Sequence, residues 1–211
     1  MTKSKVCGIM SKTDLESAIT GGADAVGFIV EIDGSRHRIS AEAAGDLIMR
    51  VPVFVKSVAV IAPNSVNEAM ALAHKTGADL LQIHGTLGAK DITALKARIP
   101  QKIIAAVTAG SNNIHDIHGL SMAADAVLLD TFKDGKLGGT GETHDWNMSA
   151  AIARDLKVPV ILAGGLNPSN VVEAIKVVRP YAVDVSSGVE TGGQKDPEKV
   201  AAFVKAVRGC P

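Results

Sequence analysis

The 211-residue chain has few aromatic residues, two cysteines and no net charge. Aromatics make up 3% of it, so stacking platforms for nucleic-acid bases are not expected. Basic and acidic residues balance at 22 each, which leaves no basic surface for a polyanion. No apolar run approaches the ~20 residues of a membrane span, and the N-terminal MTKSKVCGIM lacks the apolar stretch of a signal peptide. We therefore predict a cytoplasmic protein that binds neither nucleic acid nor membrane.

The two cysteines, Cys7 and Cys210, show neither CxxC nor metal-ligand spacing, so no disulfide is expected. Cys7 ends the first apolar run, directly before a glycine. A free cysteine there can fill a core, which is its commoner role, or place a thiol at the mouth of a site. His115 and His118 stand at i, i+3 spacing, but no third metal ligand is evident and we interpret them as surface histidines.

Eight apolar runs of strand length alternate with segments of helical spacing. The runs are KVCGIM, ADAVGFIV, FVKSVAVI, ADLLQIH, KIIAAVTA, ADAVLLDT, VPVILAGG and YAVDVSSG. Strands this uniformly apolar are buried on both faces, as in parallel sheets, and eight repeats favour closure into a barrel. The alternative, a doubly wound open sheet, usually has a GxGxxG turn after its first strand, which CGIMSK is not. We predict a single (βα)8 TIM-barrel domain over residues 1–211.

Local signals mark some helix ends. Thr13 and Glu16 have the spacing of a capping box, and Pro168 stands where the first turn of a helix would begin. Gly21, Gly22 and Gly77 follow helical segments, as glycine commonly does.

Functional residues of such a barrel lie at the carboxyl ends of its strands and in the loops that follow. This rule selects the candidate residues Cys7, Arg36, Arg38, Gln82, His84, Asp130, Gly164, Gly165, Asp184, Ser186 and Ser187.

The last two repeats carry the pattern of a phosphate site. In AGGLNPSNV two glycines follow a strand and precede a helix, so bare backbone N–H groups can approach an anion. VDVSSGVE repeats the arrangement after the eighth strand. The alternative is that these glycines form tight turns and the serines cap a helix.

Asp130 ends VLLDT, where a carboxylate is costly unless it is hydrogen-bonded or functional. It either acts in a site or bonds loop backbone. The glycine-rich KDGKLGGTGETHDW that follows suits a covering loop or a solvated loop, and GGTGET lacks the GK[ST] of a P-loop.

Taken together, these motifs resemble those of the phosphoribosylanthranilate isomerases. The matching segments are KVCGI, GADAVGF, LQIHG, LLDT, GGTGETHDW, AGGLNPSNV and RPYAVDVSSGVE. The resemblance implies an Amadori rearrangement of N-(5-phosphoribosyl)anthranilate to 1-(2-carboxyphenylamino)-1-deoxyribulose 5-phosphate in tryptophan biosynthesis, without metal or organic cofactor. It also implies a monomer or homodimer.

The resemblance assigns Cys7 and Asp130 as the catalytic pair. It places the phosphate of the substrate on the loops after strands seven and eight, and a carboxylate-binding arginine after strand two. That segment is EIDGSRHRIS here. Counting forward from the strand favours Arg36 as the carboxylate-binding arginine, with Arg38 as the alternate. Counting back from Ile39–Ser40 instead aligns His37 with the arginine of the family. The residues expected to bind substrate are Arg36, Arg38, His84, Gly164, Gly165, Asp184, Ser186 and Ser187.

The implied mechanism needs an acid and a base. Protonated Asp130 would open the sugar ring, and Cys7 as thiolate would remove the C2 proton, so we expect a raised pKa for the carboxyl and a lowered pKa for the thiol. Lys5 shares the strand face of Cys7 and could stabilise the thiolate, or it could pair with a buried acid such as Asp184. Rival functions are the histidine-pathway Amadori isomerase, whose family has Asp at the end of strand one, and a non-catalytic barrel that binds phosphorylated metabolites.

Overall fold

The structure, a computed structural model, describes residues 1–109, 114–133, 136–137 and 146–210. Eight parallel strands form the inner sheet: β1 (Lys3–Cys7), β2 (Ala25–Val30), β3 (Lys56–Ile61), β4 (Leu80–Ile83), β5 (Lys102–Ala109), β6 (Ala126–Lys133), β7 (Val160–Leu162) and β8 (Ala182–Val185). The helices are α1 (Lys12–Thr20), α2 (Ala41–Ile48), α3 (Val66–Thr76), α4 (Ala89–Lys96), α5 (Ile114–Ala123), α6 (Trp146–Asp155), α7 (Val171–Val178) and α8 (Pro197–Arg208).

The sheet closes on itself through its first strand. β1 pairs with β2 on one side and with β8 on the other, so that Lys5 lies opposite both Ala25 and Asp184. The predicted (βα)8 barrel is confirmed. Short strands are added at its rim: Arg38–Ile39 beside β2, Lys136–Leu137 beside β6, and a hairpin of Glu190–Thr191 with Gln194–Lys195.

Alternation along the strands divides the core into two parts. Outward side chains such as Phe28 and Leu81 pack under the helices, together with Phe203 of α8. Inward side chains such as Val60 and Leu128 fill the barrel. Complete burial of each large apolar side chain contributes roughly 1.5–3 kcal/mol, so this pattern of apolar strands specifies the barrel. Among the described residues, no helix is both long and apolar enough to cross a membrane.

The predicted capping box of α1 is wrong. Ser11, not Thr13, is the N-cap: its hydroxyl accepts from the Asp14 N–H at 3.1 Å, and Asp14, not Glu16, completes the box. Asp14 also accepts from the backbone N–H of Lys195 at 2.9 Å, a contact between distant parts of the chain that fixes this choice.

Pro168 does not begin α7, which starts at Val171 after the N-cap Asn170. The Asn170 side chain closes a turn before the helix, since its carbonyl accepts from the Asn167 N–H and its amide donates to the Gly165 carbonyl. The glycine prediction is confirmed at Gly77, which ends α3 in the left-handed conformation that glycine tolerates best.

Candidate active site

A cavity of about 570 Å³ opens at the carboxyl ends of the strands. Ten of the eleven candidate residues line it: Cys7, Arg36, Gln82, His84, Asp130, Gly164, Gly165, Asp184, Ser186 and Ser187. The exception is Arg38, whose guanidinium instead lies 3.5 Å from the exposed carboxylate of Asp33. Of the two arginine alternatives, the structure therefore brings Arg36 to the cavity.

Cys7 and Lys5 share the inner face of β1, and both are nearly inaccessible to solvent. Gly27 of β2 lies opposite Cys7 and leaves the space that they occupy. A Cβ at Gly27 would stand 2.7 Å from Cys7 Sγ and 3.1 Å from Lys5 Nζ. The thiol and the ammonium therefore lie within a few ångströms of each other.

Lys5 also anchors a buried polar network. Its Nζ donates to Asp184 Oδ2 at 2.8 Å and to Gln82 Oε1 at 2.9 Å. The amide nitrogen of Gln82 lies 2.8 Å from His84 Nε2. Because Gln82 uses its oxygen for Lys5, we assign its NH2 as donor, which makes His84 Nε2 the acceptor and leaves the imidazole proton on Nδ1.

The charge states in this network follow from burial and from Lys5. Burial, reinforced by the charge of Lys5, lowers the pKa of His84 to about 4, so the imidazole is neutral. Burial alone would lower the pKa of Lys5, but Asp184 and Cys7 together more than offset it, so the pKa is raised. Both interpretations of Lys5 thus have a structural basis, since it pairs with Asp184 and lies beside Cys7.

The expectation of a lowered pKa for the Cys7 thiol is not met. Burial raises this pKa, and the nearby Asp184 carboxylate acts in the same direction. Lys5 and Lys195 lower it, but by less than burial and Asp184 together raise it. The physical reason is that the barrel interior replaces the water that would otherwise solvate a thiolate.

Asp130 lies on β6 opposite Thr108 of β5. Its neighbour Leu129 packs outward and Leu128 packs inward, so alternation points Asp130 into the barrel. The prediction that Asp130 ends its strand is wrong, since β6 continues to Lys133, where it pairs with the short strand that follows. The strand order β6–β7–β8–β1 places Asp130 and Cys7 across the mouth of the barrel from each other.

The loops after β7 and β8 line the cavity with Gly164, Gly165, Ser186 and Ser187. Gly164 and Gly165 have positive φ angles of 88° and 63°, where a side chain would be strained. A Cβ on Gly188 would lie 1.9 Å from the Leu166 carbonyl oxygen, so this glycine allows the two loops to touch. Within the described part of the chain, the backbone hydrogen bonds formed outside helices and strands include none donated by the N–H groups of Gly165 and Ser187. They are available to an anion.

The glycine that follows Cys7 has a similar role. Gly8 has a φ of 77°, and a Cβ there would stand 2.9 Å from Ser186 Oγ and 3.0 Å from the His37 ring. Its lack of a side chain lets the loops after β1, β2 and β8 meet beside the thiol.

Glu190, which contacts the cavity residues Arg36 and His37 from the rim, is a residue that sequence reasoning missed. Its buried carboxylate lies 2.7 Å from Arg36 Nη2, 2.9 Å from His37 Nε2 and 2.5 Å from Lys195 Nζ. Burial would raise the pKa of Glu190, but His37 and Lys195 more than reverse this and lower it to about 2. Because Glu190 follows the end of β8 by five residues, a search at strand ends does not select it. Its place in VSSGVE was the available signal.

Some predictions concern residues whose placement is not described. Most of the glycine-rich segment 133–146, including His144, and the side chain of His115 lie outside the described residues. His118 is half-exposed and lies 2.9 Å from Asp155 Oδ2, as expected of a surface histidine. No cluster of three His, Cys, Asp or Glu side chains suited to a metal occurs in the part of the chain that the structure describes.

The chain is similar to one family in sequence and in structure. The family described as N-(5'-phosphoribosyl)anthranilate (PRA) isomerase matches residues 4–206. A relative of that name from Methanothrix thermoacetophila is 53% identical over 210 residues, which covers 100% of both chains. This chain belongs to the N-(5'-phosphoribosyl)anthranilate isomerase family.

Solved structures of phosphoribosylanthranilate isomerases share the fold. One is a set of monomers generated from the dimeric Thermotoga maritima enzyme, with a TM-score of 0.83, 32% identity and coverage of 99% of this chain and 100% of that one. Another isomerase structure holds reduced 1-(o-carboxyphenylamino)-1-deoxyribulose 5-phosphate, with a TM-score of 0.81, 32% identity and the same coverage. The resemblance identified from the motifs is therefore confirmed.

Proposed function

We propose that this chain converts N-(5'-phosphoribosyl)anthranilate to 1-(2-carboxyphenylamino)-1-deoxyribulose 5-phosphate as an isomerase of tryptophan biosynthesis. One observation carries the proposal beyond family membership. A single cavity brings together a thiol, a carboxyl group and backbone N–H groups suited to an anion, contributed by Cys7, Asp130 and the glycine–serine loops. These are the groups that an acid–base isomerisation of a sugar phosphate needs.

In this proposal the two ends of the substrate are held separately. The phosphate lies on the N–H groups after β7 and β8, at Gly164, Gly165, Ser186 and Ser187. The anthranilate carboxylate lies against Arg36, whose guanidinium has five N–H donors in a planar fork that matches a carboxylate. His84, neutral and with its proton on Nδ1, donates to a sugar oxygen.

The reacting atoms then lie between Asp130 and Cys7. Protonated Asp130 donates its proton to the furanose ring oxygen, which breaks the C1–O bond and leaves an iminium between C1 and the nitrogen. The Cys7 thiolate removes the C2 proton, and the electron pair of the C–H bond forms the enolamine. Tautomerisation of the enolamine gives the ketone, so no external oxidant or reductant is needed. Each proton transfer contributes roughly 10²–10⁴-fold.

The thiolate depends on the cations around Cys7. Burial makes the free thiol a weak acid, and Lys5 and Lys195 are the charges that favour its ionised form. Lys5 therefore supports the base electrostatically while it also holds Asp184. We propose Asp184 as part of the substrate-facing wall, consistent with its place on the cavity.

The rival functions fit less well. Cys7 stands at the end of β1, where the histidine-pathway isomerase family has an aspartate, and among the described residues one cluster of glycine and serine N–H groups provides one phosphate site. A non-catalytic binding barrel requires neither a thiol nor a carboxyl group in the cavity, and turnover separates it from an enzyme.

The test is the loss of anthranilate fluorescence when the purified chain acts on phosphoribosylanthranilate. Cys7→Ala and Asp130→Asn should each lower kcat by roughly 10²-fold or more while the protein stays folded and binds the reduced product. Cys210→Ala is the matched control, because this buried thiol lies against Val172 on the outer ring. Near-normal turnover by Cys7→Ala would refute the assignment of the base.

Other predictions attach to this function. We propose that the enzyme acts as a single domain, as a monomer or a homodimer, in the cytoplasm and without a cofactor. Light scattering of the purified chain measures its mass, and full activity after treatment with a chelator would agree with a reaction that needs no metal.

A further inference from the structure

The Glu190 carboxylate is the meeting point of two loops from different parts of the chain. Arg36 and His37 reach it from the segment after β2, and Lys195 reaches it from the hairpin after β8. β2 and β8 flank β1 in the ring, so this contact spans the rim beside Cys7. The carboxylate thus joins the loop that carries Arg36 to the loop that carries Ser186 and Ser187, which we call the phosphate-binding turn.

Glu190 is itself held firmly. Its side chain is 5% exposed, and Lys195, which is 1% exposed, contacts it at 2.5 Å. The backbone carbonyl of Glu190 accepts from Lys199 Nζ of α8 at 2.8 Å. Lys195 Nζ also donates to the Ser186 carbonyl at 3.2 Å, so one ammonium links Glu190 to the phosphate-binding turn.

Arg36, by contrast, is the exposed partner. Its side chain is 58% exposed and it lines the cavity, with one nitrogen, Nη2, on Glu190. The remaining N–H donors of the guanidinium can still face a ligand carboxylate. A long exposed side chain loses conformational freedom when it binds, and a fixed carboxylate behind it removes part of that cost before the ligand arrives.

We infer that Glu190 is a positioning residue that sets the distance between Arg36 and the phosphate-binding turn, and so selects ligands whose carboxylate and phosphate stand at the matching separation. This inference rests on the proposed function. It assigns Glu190 no contact with the reacting atoms.

Glu190→Gln tests the inference, because it keeps the shape and removes the charge. Affinity for the reduced product, which has both a carboxylate and a phosphate, should fall by roughly tenfold or more, since small misplacements of a positioning group have large effects. KM for phosphoribosylanthranilate should rise by a similar factor, with a smaller change in kcat. Inorganic phosphate, which engages one end of the site, should bind within about twofold of wild type.

A double-mutant cycle with Arg36→Met separates positioning from a general structural role. If Glu190 acts through Arg36, adding Glu190→Gln to Arg36→Met should cost little further affinity. Glu42→Gln is the matched control, since it removes a salt-bridged glutamate, paired with Lys75, on the outer helices. It should leave the affinity for both ligands unchanged.

Glu190→Asp is the second variant if Glu190→Gln unfolds. It keeps the charge but shortens the side chain by one methylene. It should lower the affinity for the reduced product more than the affinity for inorganic phosphate. An equal loss of affinity for both ligands would overturn the inference. Additive effects of Glu190→Gln and Arg36→Met in the double-mutant cycle would overturn it too. If the wild type turns over the substrate and Glu190→Gln has the same kinetics, the inference about Glu190 is overturned and the proposed function stands. If the wild type neither turns over the substrate nor binds the reduced product, the proposed function is overturned as well.

Discussion

Replacing Lys5 by Met should raise the pKa of the Cys7 thiol further and thereby lower kcat. The ammonium and the thiol lie within a few ångströms of each other beside Gly27. At about 5 Å and an effective dielectric constant of about 20, two unit charges interact by roughly 3 kcal/mol, or about two pKa units. We therefore expect about 100-fold less thiolate at a pH below both pKa values, and a comparable loss of kcat.

The assay is the pH dependence of Cys7 alkylation by iodoacetamide, followed by mass spectrometry of the Cys7 peptide. Asp184→Asn should move the midpoint in the opposite direction, because the Asp184 carboxylate raises the thiol pKa. Removing Lys5 alone leaves a buried carboxylate without its ammonium, which costs about 3–5 kcal/mol of stability. If the single variant unfolds, the double variant Lys5→Met/Asp184→Asn avoids that charge, and its comparison with Asp184→Asn isolates the effect of Lys5. An unmoved midpoint in Lys5→Met would refute the electrostatic role.

Two further predictions concern His84 and the arginines. The pKa of His84 is about 4 in the folded protein against 6.5 ordinarily, so between these pH values the unfolded chain binds a proton that the folded chain does not. Stability should therefore fall as the pH drops through this window, by up to roughly 3 kcal/mol from this residue, and urea unfolding of His84→Gln should show a flatter pH dependence. Arg36→Met should raise KM by roughly tenfold or more, as expected for a lost charge-assisted hydrogen bond, whereas Arg38→Met should stay within about twofold, and steady-state kinetics of the two compares them directly. Equal effects of both arginine variants would contradict the placement of Arg36 on the cavity.

The strand pattern and the strand-end rule located most of the candidate site. Uniformly apolar runs demand burial on both faces, and a closed parallel sheet with outer helices provides it. Once the strands are placed, Cys7, Asp130 and the paired glycines fall at one rim because parallel strands end on the same side. Helix ends were harder to predict from the sequence. The cap of α1 is settled by the contact between Asp14 and Lys195, which are 181 positions apart.

The charge states of buried groups could not be predicted from the sequence either, because they also depend on contacts between distant parts of the chain. Cys7 and Lys5 were predicted to interact, but the sign of the thiol pKa shift depends on how completely the barrel excludes water, which no spacing of residues reports. The choice between Arg36 and Arg38 likewise depends on how the loop after β2 folds over the rim.

The sequence by itself determined the barrel, the rim that carries chemistry and the family, because periodicity, strand ends and long motifs are properties of neighbouring residues. Only the tertiary structure decided which arginine reaches the cavity, that burial outweighs Lys5 at Cys7, and that Glu190 joins Arg36 to Lys195. These outcomes depend on distances and solvent exclusion between segments far apart in the chain, as in the Lys5–Asp184 pair, whose members are 179 positions apart. Closure of the sheet creates those distances, since it places the first strand beside the last.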